Sequence, residues 1–155
     1  MLLPEKQDGL TTEDRAALAT AYSAALAYRT GLPNAPARPR ISLDEAVDRY
    51  RTPLDEDGRP ATQVISEITT LADGGLHAMA APTFFGYVLG ASHPVGVAAD
   101  ALVSAWGQNA GSSTETPAIS GMERAVCDWL ISFFGLPAEC GAGLVTGASV
   151  ANFCG

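Results

Sequence analysis

The sequence predicts an α/β fold that is mostly helical in the portion present, and three observations carry that expectation. Helix start and stop signals recur along most of the 155 residues. The half after His77 carries little charge. The stretch 141–152, Gly-Ala-Gly-Leu-Val-Thr-Gly-Ala-Ser-Val-Ala-Asn, reads as a strand, a turn and the start of a helix.

That last stretch is the most informative. Leu144 to Thr146 has the look of a short buried strand, Gly147 permits a tight turn, and Ser149 is placed to cap a helix beginning Val150-Ala151-Asn152. Such a corner aims unpaired backbone N–H groups at one point, with the positive end of the helix dipole behind them. That is an anion site, most often for phosphate. Plain connectivity produces the same residue types, so the local pattern leaves both readings open. A P-loop requires Lys followed by Ser or Thr at the end of the turn, and neither is there.

A chain of this length can bury about 70% of its unfolded surface, enough for one domain with a core. The formal net charge of -8 argues against nucleic acid or an anionic membrane as partner. The opening Met1–Asp8 has no signal-peptide core, and no later run has the length and apolarity of a membrane span, so a cytoplasmic protein is expected. Cys127, Cys140 and Cys154 are odd in number and lack metal-ligand spacing; they are expected as reduced, buried thiols, with no metal site. From His77 onward the only charges are Asp100, Glu115, Glu123, Arg124, Asp128 and Glu139. A segment so poor in charge is expected to be covered by a partner subunit or by further chain.

Three helices are predicted before His77. Thr11-x-x-Asp14 resembles a capping box ahead of an Ala-rich run with Leu18, Tyr22 and Leu26 on one face, stopped by Gly31, Pro33 and Pro36. Ser42-x-x-Glu45 is a cleaner box, with Ile41 placed to staple onto Ala46, and Pro53 ends that helix. A third run after Pro60 sets Val64, Ile65, Ile68 and Leu71 at helical spacing and closes at Gly74-Gly75. Their apolar stripes point to packing or subunit contact.

Thr83 to Gly90 is expected to be extended, with three aromatics in four residues. It fits a packed strand edge or, beside Gly86 and Gly90, a pocket wall. His93-Pro94 opens a fourth helix that runs to Gly107, with His93 as a helix-start residue. His77 has no metal or acid-base pattern around it. The polar loop 108–114 follows. A fifth helix then begins at Thr116-Pro117 and ends at Gly135, with Pro137 behind it; Trp129 is expected in the core and Glu123 as a structural acid.

From Pro82 the order of features resembles the pyridoxal-phosphate-dependent amino acid decarboxylases of the group that includes the aromatic amino acid and glutamate enzymes. The likeness lies in Pro82-x-Phe84-Phe85-Gly86-Tyr87, in Ala98-Ala99-Asp100-x-Leu102 through Trp106 and Gln108-Asn109, in Pro117-Ala118 with Glu123, and in Trp129-Leu130 with Gly135-Leu136-Pro137. It ends on Thr146-Gly147-Ala148-Ser149-x-Ala151-Asn152.

The resemblance implies the N-terminal part of a type I pyridoxal-phosphate fold: a helical dimerisation arm over 1–81 and the start of the cofactor-binding domain over 82–155. It implies that the backbone N–H groups of Ala148 and Ser149, with the Ser149 hydroxyl and the turn at Gly147, hold the phosphate of pyridoxal 5'-phosphate. Tyr87, Leu89 and Gly90 would line the substrate side. Asn109 and Gly111 match a loop that the family lends to the partner subunit of a homodimer, whose substrate is an amino acid. Ala81 stands where the family often has His, and Leu89-Gly90 replaces the Pro-Thr of the aromatic enzymes, which leaves the substrate class open.

In that family a Schiff-base lysine, an acid at the pyridine nitrogen and a histidine on the ring lie downstream of the phosphate turn. The only lysine here is Lys6, so the chain alone is expected to be inactive, as a fragment of the enzyme. Three other readings stand beside this one. Within the same fold the parent enzyme could be an aminotransferase or an aldehyde-forming lyase. Val-Thr-Gly-Ala-Ser is similar to the nicotinamide-dinucleotide turn of short-chain dehydrogenases, although Ala151 and Phe153 stand where that turn has glycines. A non-enzymatic dimerisation fragment is the third.

Overall fold

The structure is a computed structural model, and it describes residues 9–36, 38–53 and 56–155. Lys6 and the opening segment lie outside the described residues. The chain divides into two compact units, Met1–Ser92 and His93–Gly155. Helices dominate both, and no strand occurs among the described residues.

In the first unit α1 spans Thr12–Gly31, α2 Leu43–Tyr50 and α3 Ala61–Ala72. The capping box at α1 is complete: Asp14 N–H donates to Thr11 Oγ1 at 3.1 Å and Thr11 N–H donates to Asp14 Oδ2 at 2.8 Å. At α2 only half of the expected box forms. Glu45 N–H donates to Ser42 Oγ at 3.1 Å, while the Glu45 carboxylate is taken by Arg49 Nη2 one turn on, at 3.0 Å. The first helix passes into a 3-10 turn at Leu32–Asn34, where Pro33 fits the first turn.

The start of α3 is capped from another helix. Pro60, its N-cap residue, has no side-chain acceptor, and the carboxylate of Glu13 on α1 accepts from Thr62 N–H at 2.8 Å and Thr62 Oγ1 at 2.6 Å. One side chain thereby joins α1 to α3, which also pack on each other, with Ala17 and Ile65 lining a shared cleft. The two Thr62 hydrogen bonds, side chain first, hold the Glu13 carboxyl below its ordinary value, against a smaller upward push from desolvation and Asp14. Because the folded value is the lower one, the stabilisation is complete above the ordinary glutamate range and disappears as pH falls through the depressed value. Glu13→Gln is therefore expected to flatten the acid limb of stability. Urea midpoints, compared with wild type from neutral pH down through the carboxylate range, measure it; equal slopes would remove the assignment.

The far end of α3 is tied to α2. Arg49 Nη1 donates to the Asp73 carbonyl at 2.7 Å and Arg40 N–H to the Gly74 carbonyl at 2.7 Å. Gly74 has φ +75°, and a Cβ at Gly75 would stand 3.2 Å from Ile41 Cδ1. The left-handed conformation favours glycine at Gly74, a side chain at Gly75 would need Ile41 to give by a few tenths of an ångström, and Ile41, expected to staple onto Ala46, lies against both. The buried core of this unit is small. Leu32, Ala78 and Ala81 form it, with Ala35, Ala80 and Phe84 packed around.

In the second unit α4 spans Pro94–Trp106, α5 Pro117–Phe133 and α6 Ala148–Cys154. His93 caps α4 as expected, its Nδ1 accepting from Val95 N–H at 3.2 Å. Gly107 and Gly135 end α4 and α5 in the left-handed region, with φ 61° and 64°. These three helices do not pack on one another among the described residues.

Several expectations need correction. Leu144–Thr146 is not a buried strand: no other segment among the described residues pairs with it, and Leu144 and Val145 are exposed. The helix begins at Ala148, so Ser149 lies inside its first turn and Gly147 takes the cap position. Trp129 is 70% exposed rather than in the core, and of the three thiols only Cys127 is buried. Among the described residues no helix is long and apolar enough to cross a membrane.

Candidate functional site

The residues singled out in the sequence fall in three segments. Tyr87, Leu89 and Gly90 belong to the first unit; Asn109 and Gly111, and separately Gly147, Ala148 and Ser149, belong to the second.

The segment expected to be extended, Thr83–Gly90, is instead a turn. Leu89 N–H reaches the Gly86 carbonyl at 3.4 Å, and the central residues Tyr87 and Val88 both have positive φ, 61° and 55°. Such a turn suits Asn-Gly, and a β-branched residue there is strained. The pattern of aromatic and β-branched residues that favours a strand is overridden because no second strand pairs with it. The turn carries Tyr87 to His77. The His77 and Phe84 rings meet edge to face at 4.9 Å, His77 and Tyr87 at 6.2 Å, and Phe84 and Tyr87 at 6.0 Å. His77 thus joins the aromatic cluster, a contact that no spacing in the sequence signals.

Val88 makes the strain measurable, because its side chain is fully exposed and loses no packing when removed. Val88→Gly is expected to raise the stability of the first unit by about 1 kcal/mol, the left-handed penalty outweighing the extra freedom glycine has when unfolded. Chemical denaturation reads the shift, and a lower midpoint would contradict the strained turn.

The loop after α4 is tied by its own polar groups. Gly111 N–H donates to Asn109 Oδ1 at 2.9 Å, and Thr116 Oγ1 donates to the Asn109 carbonyl at 2.6 Å and to the Ser112 carbonyl at 2.8 Å. A Cβ at Gly111 would stand 2.9 Å from Asn109 Oδ1, so glycine lets this turn close. Both oxygens of Asn109 are engaged, and its amide NH₂ is the donor that remains.

At the corner, Gly147 is extended, with φ 163° and ψ 170°, and no side chain caps α6. A Cβ added at Gly147 would meet nothing within 4 Å. The first-turn N–H groups of Ala148, Ser149 and Val150 have no intrahelical acceptor by the geometry of a helix start. The Ser149 hydroxyl stands on the same turn, and N–H donors at a helix start suit an anion. Three free N–H groups, one hydroxyl and no nearby carboxylate on the same turn can hold an anion but cannot move a proton.

Among the described residues there is no lysine and no group of three His, Cys, Asp or Glu side chains placed to hold a metal. The chain matches no protein-family model and no solved structure.

Proposed function

We propose that this chain supplies the phosphate corner and part of the substrate wall of a pyridoxal-phosphate-dependent amino acid decarboxylase with a type I α/β fold, working as a cytoplasmic homodimer. The observation that carries the reading is the uncapped first turn at Gly147-Ala148-Ser149, which closes the ordered series of motifs beginning at Pro82. The Ala148 and Ser149 N–H groups and the Ser149 hydroxyl orient the phosphate. Tyr87, Leu89 and Gly90 exclude water on the substrate side, and the Asn109 amide donates toward a partner subunit's pocket. When bound, the cofactor supplies the electron sink that stabilises the carbanion left by loss of CO₂. No residue of the described chain provides the amine that joins its aldehyde. The chain alone is therefore expected to bind the cofactor without turning over amino acids.

Equilibrium dialysis of the full chain against pyridoxal 5'-phosphate and against pyridoxal tests this. The phosphorylated form should bind at least tenfold tighter, be displaced by inorganic phosphate, and bind equally well to Lys6→Ala. Equal binding of the two forms would overturn the reading, as would a preference for a nicotinamide dinucleotide.

A further inference from the structure

The second unit holds a cleft of about 400 Å³ that plays no part in the proposed cofactor site. Its walls come from one face of α5, with Ser120, Arg124, Cys127 and Ile131 at successive turns, and from the segment that folds back along that helix. The fold-back has a local cause. Gly135 takes the left-handed conformation, Leu136 N–H reaches back to the Ile131 carbonyl at 3.0 Å, and Cys140 N–H closes a further turn on the Pro137 carbonyl at 3.0 Å. As a result Cys140 lines the same cleft as Cys127. The thiols differ in access: Cys127 is buried and Cys140 exposed, and neither is bonded in a disulfide. Cys154, on α6, does not line this cleft.

We propose that Cys127 and Cys140 form a reversible disulfide across this cleft, fastening the segment after α5 to the helix. The oxidant is a low-molecular-weight disulfide. The Cys140 thiol, having given its proton to solvent, attacks one sulfur of that disulfide; its S–S bond breaks and the first small thiolate leaves and takes up a proton. The Cys127 thiol, likewise deprotonated, then attacks the Cys140 sulfur of the mixed disulfide, the protein S–S bond forms, and the second small thiolate leaves. Two protein thiols are oxidised and one small disulfide is reduced to two thiols. The exposed residue is the point of attack and the buried one resolves it. The link requires the two Cα atoms to approach to the span of a disulfide, which closes the cleft. Because the fold-back leads directly into 141–147, oxidation restrains the segment ahead of the Gly147 turn.

The test uses the full chain with Cys154→Ser, so that two thiols remain. A neutral aliphatic disulfide is the oxidant, so that neither the Glu123 and Asp128 carboxylates nor the Arg124 guanidinium lining the cleft biases its approach. The expected product has lost two hydrogens, shows a 127–140 cross-link in its peptide map, and returns to the dithiol on reduction. Hydrogen exchange across 136–143 should slow severalfold in the oxidised form. In the unmutated chain the 127–140 link should exceed the 140–154 and 127–154 links, and lose that preference in strong denaturant. Cys140→Ser, an exposed change that leaves the buried thiol in place, should abolish both the cross-link and the exchange effect. An adduct that stays on Cys140 without resolution, a link between two chains, or unchanged exchange after cross-linking would each overturn the proposal.

Discussion

Leu32→Ala is expected to cost the first unit about 2–5 kcal/mol, the range for removing a buried leucine side chain. Leu32 is 4% exposed, and every other buried residue among the described residues of that unit is an alanine. It stands in the 3-10 turn after α1 and reaches Ala78 and Ala81, so a single side chain joins the end of α1 to the loop that leads toward the aromatic turn. Apart from Phe84, truncation leaves neighbours with only methyl groups to fill the space, and collapse around the hole is limited. Since whole domains are stable by only about 5–15 kcal/mol, the loss is a large share of the total. Urea denaturation followed by far-UV circular dichroism measures it. A change under about 1 kcal/mol would mean that the Leu32 cluster is not the core of this unit.

Ser149→Asp is expected to weaken pyridoxal 5'-phosphate binding by more than tenfold, about 1.4 kcal/mol, and to leave the weaker binding of pyridoxal unchanged. The serine lies in the first turn of α6, where its hydroxyl makes no capping bond. A carboxylate there takes the free N–H groups for itself and repels the phosphate, so attraction and donor set are lost together. Ser149→Ala removes only the hydroxyl and should lose severalfold. Equilibrium dialysis of the three chains side by side separates these outcomes. Equal affinities in all three would move the phosphate away from this corner.

The helices were legible because their signals are local. Thr11 with Asp14, His93 with Pro94, and the glycines at 107 and 135 mark starts and stops through groups within a few residues of one another. The extended segments were not, since a strand exists only through a second one that pairs with it. Leu144–Thr146 and Thr83–Gly90 have strand-like composition and no pairing segment among the described residues. Burial failed for the same reason at Trp129, Cys140 and Cys154: helical spacing identifies an apolar face but not what meets it. The Glu13 cap on α3 and the His77 contact with Tyr87 depend on residues far apart in sequence, and neither has a local signature. At the candidate site Gly147 was legible as the residue that turns the chain into the helix, while the helix itself begins two residues earlier than expected, at Ala148 instead of Val150.

The exposed apolar face of α5 has a thermodynamic consequence. Trp129 and Phe133 are 70% and 82% exposed, and Cys127 is the one buried hydrophobic residue among the described residues of its unit. The heat-capacity rise on unfolding comes from apolar groups newly wetted, and most of those in this unit are wet already. Its stability curve is therefore shallow, with little curvature on cooling or heating and a broad melting profile. Anything that covers α5 restores both the hidden surface and the sharpness of the transition.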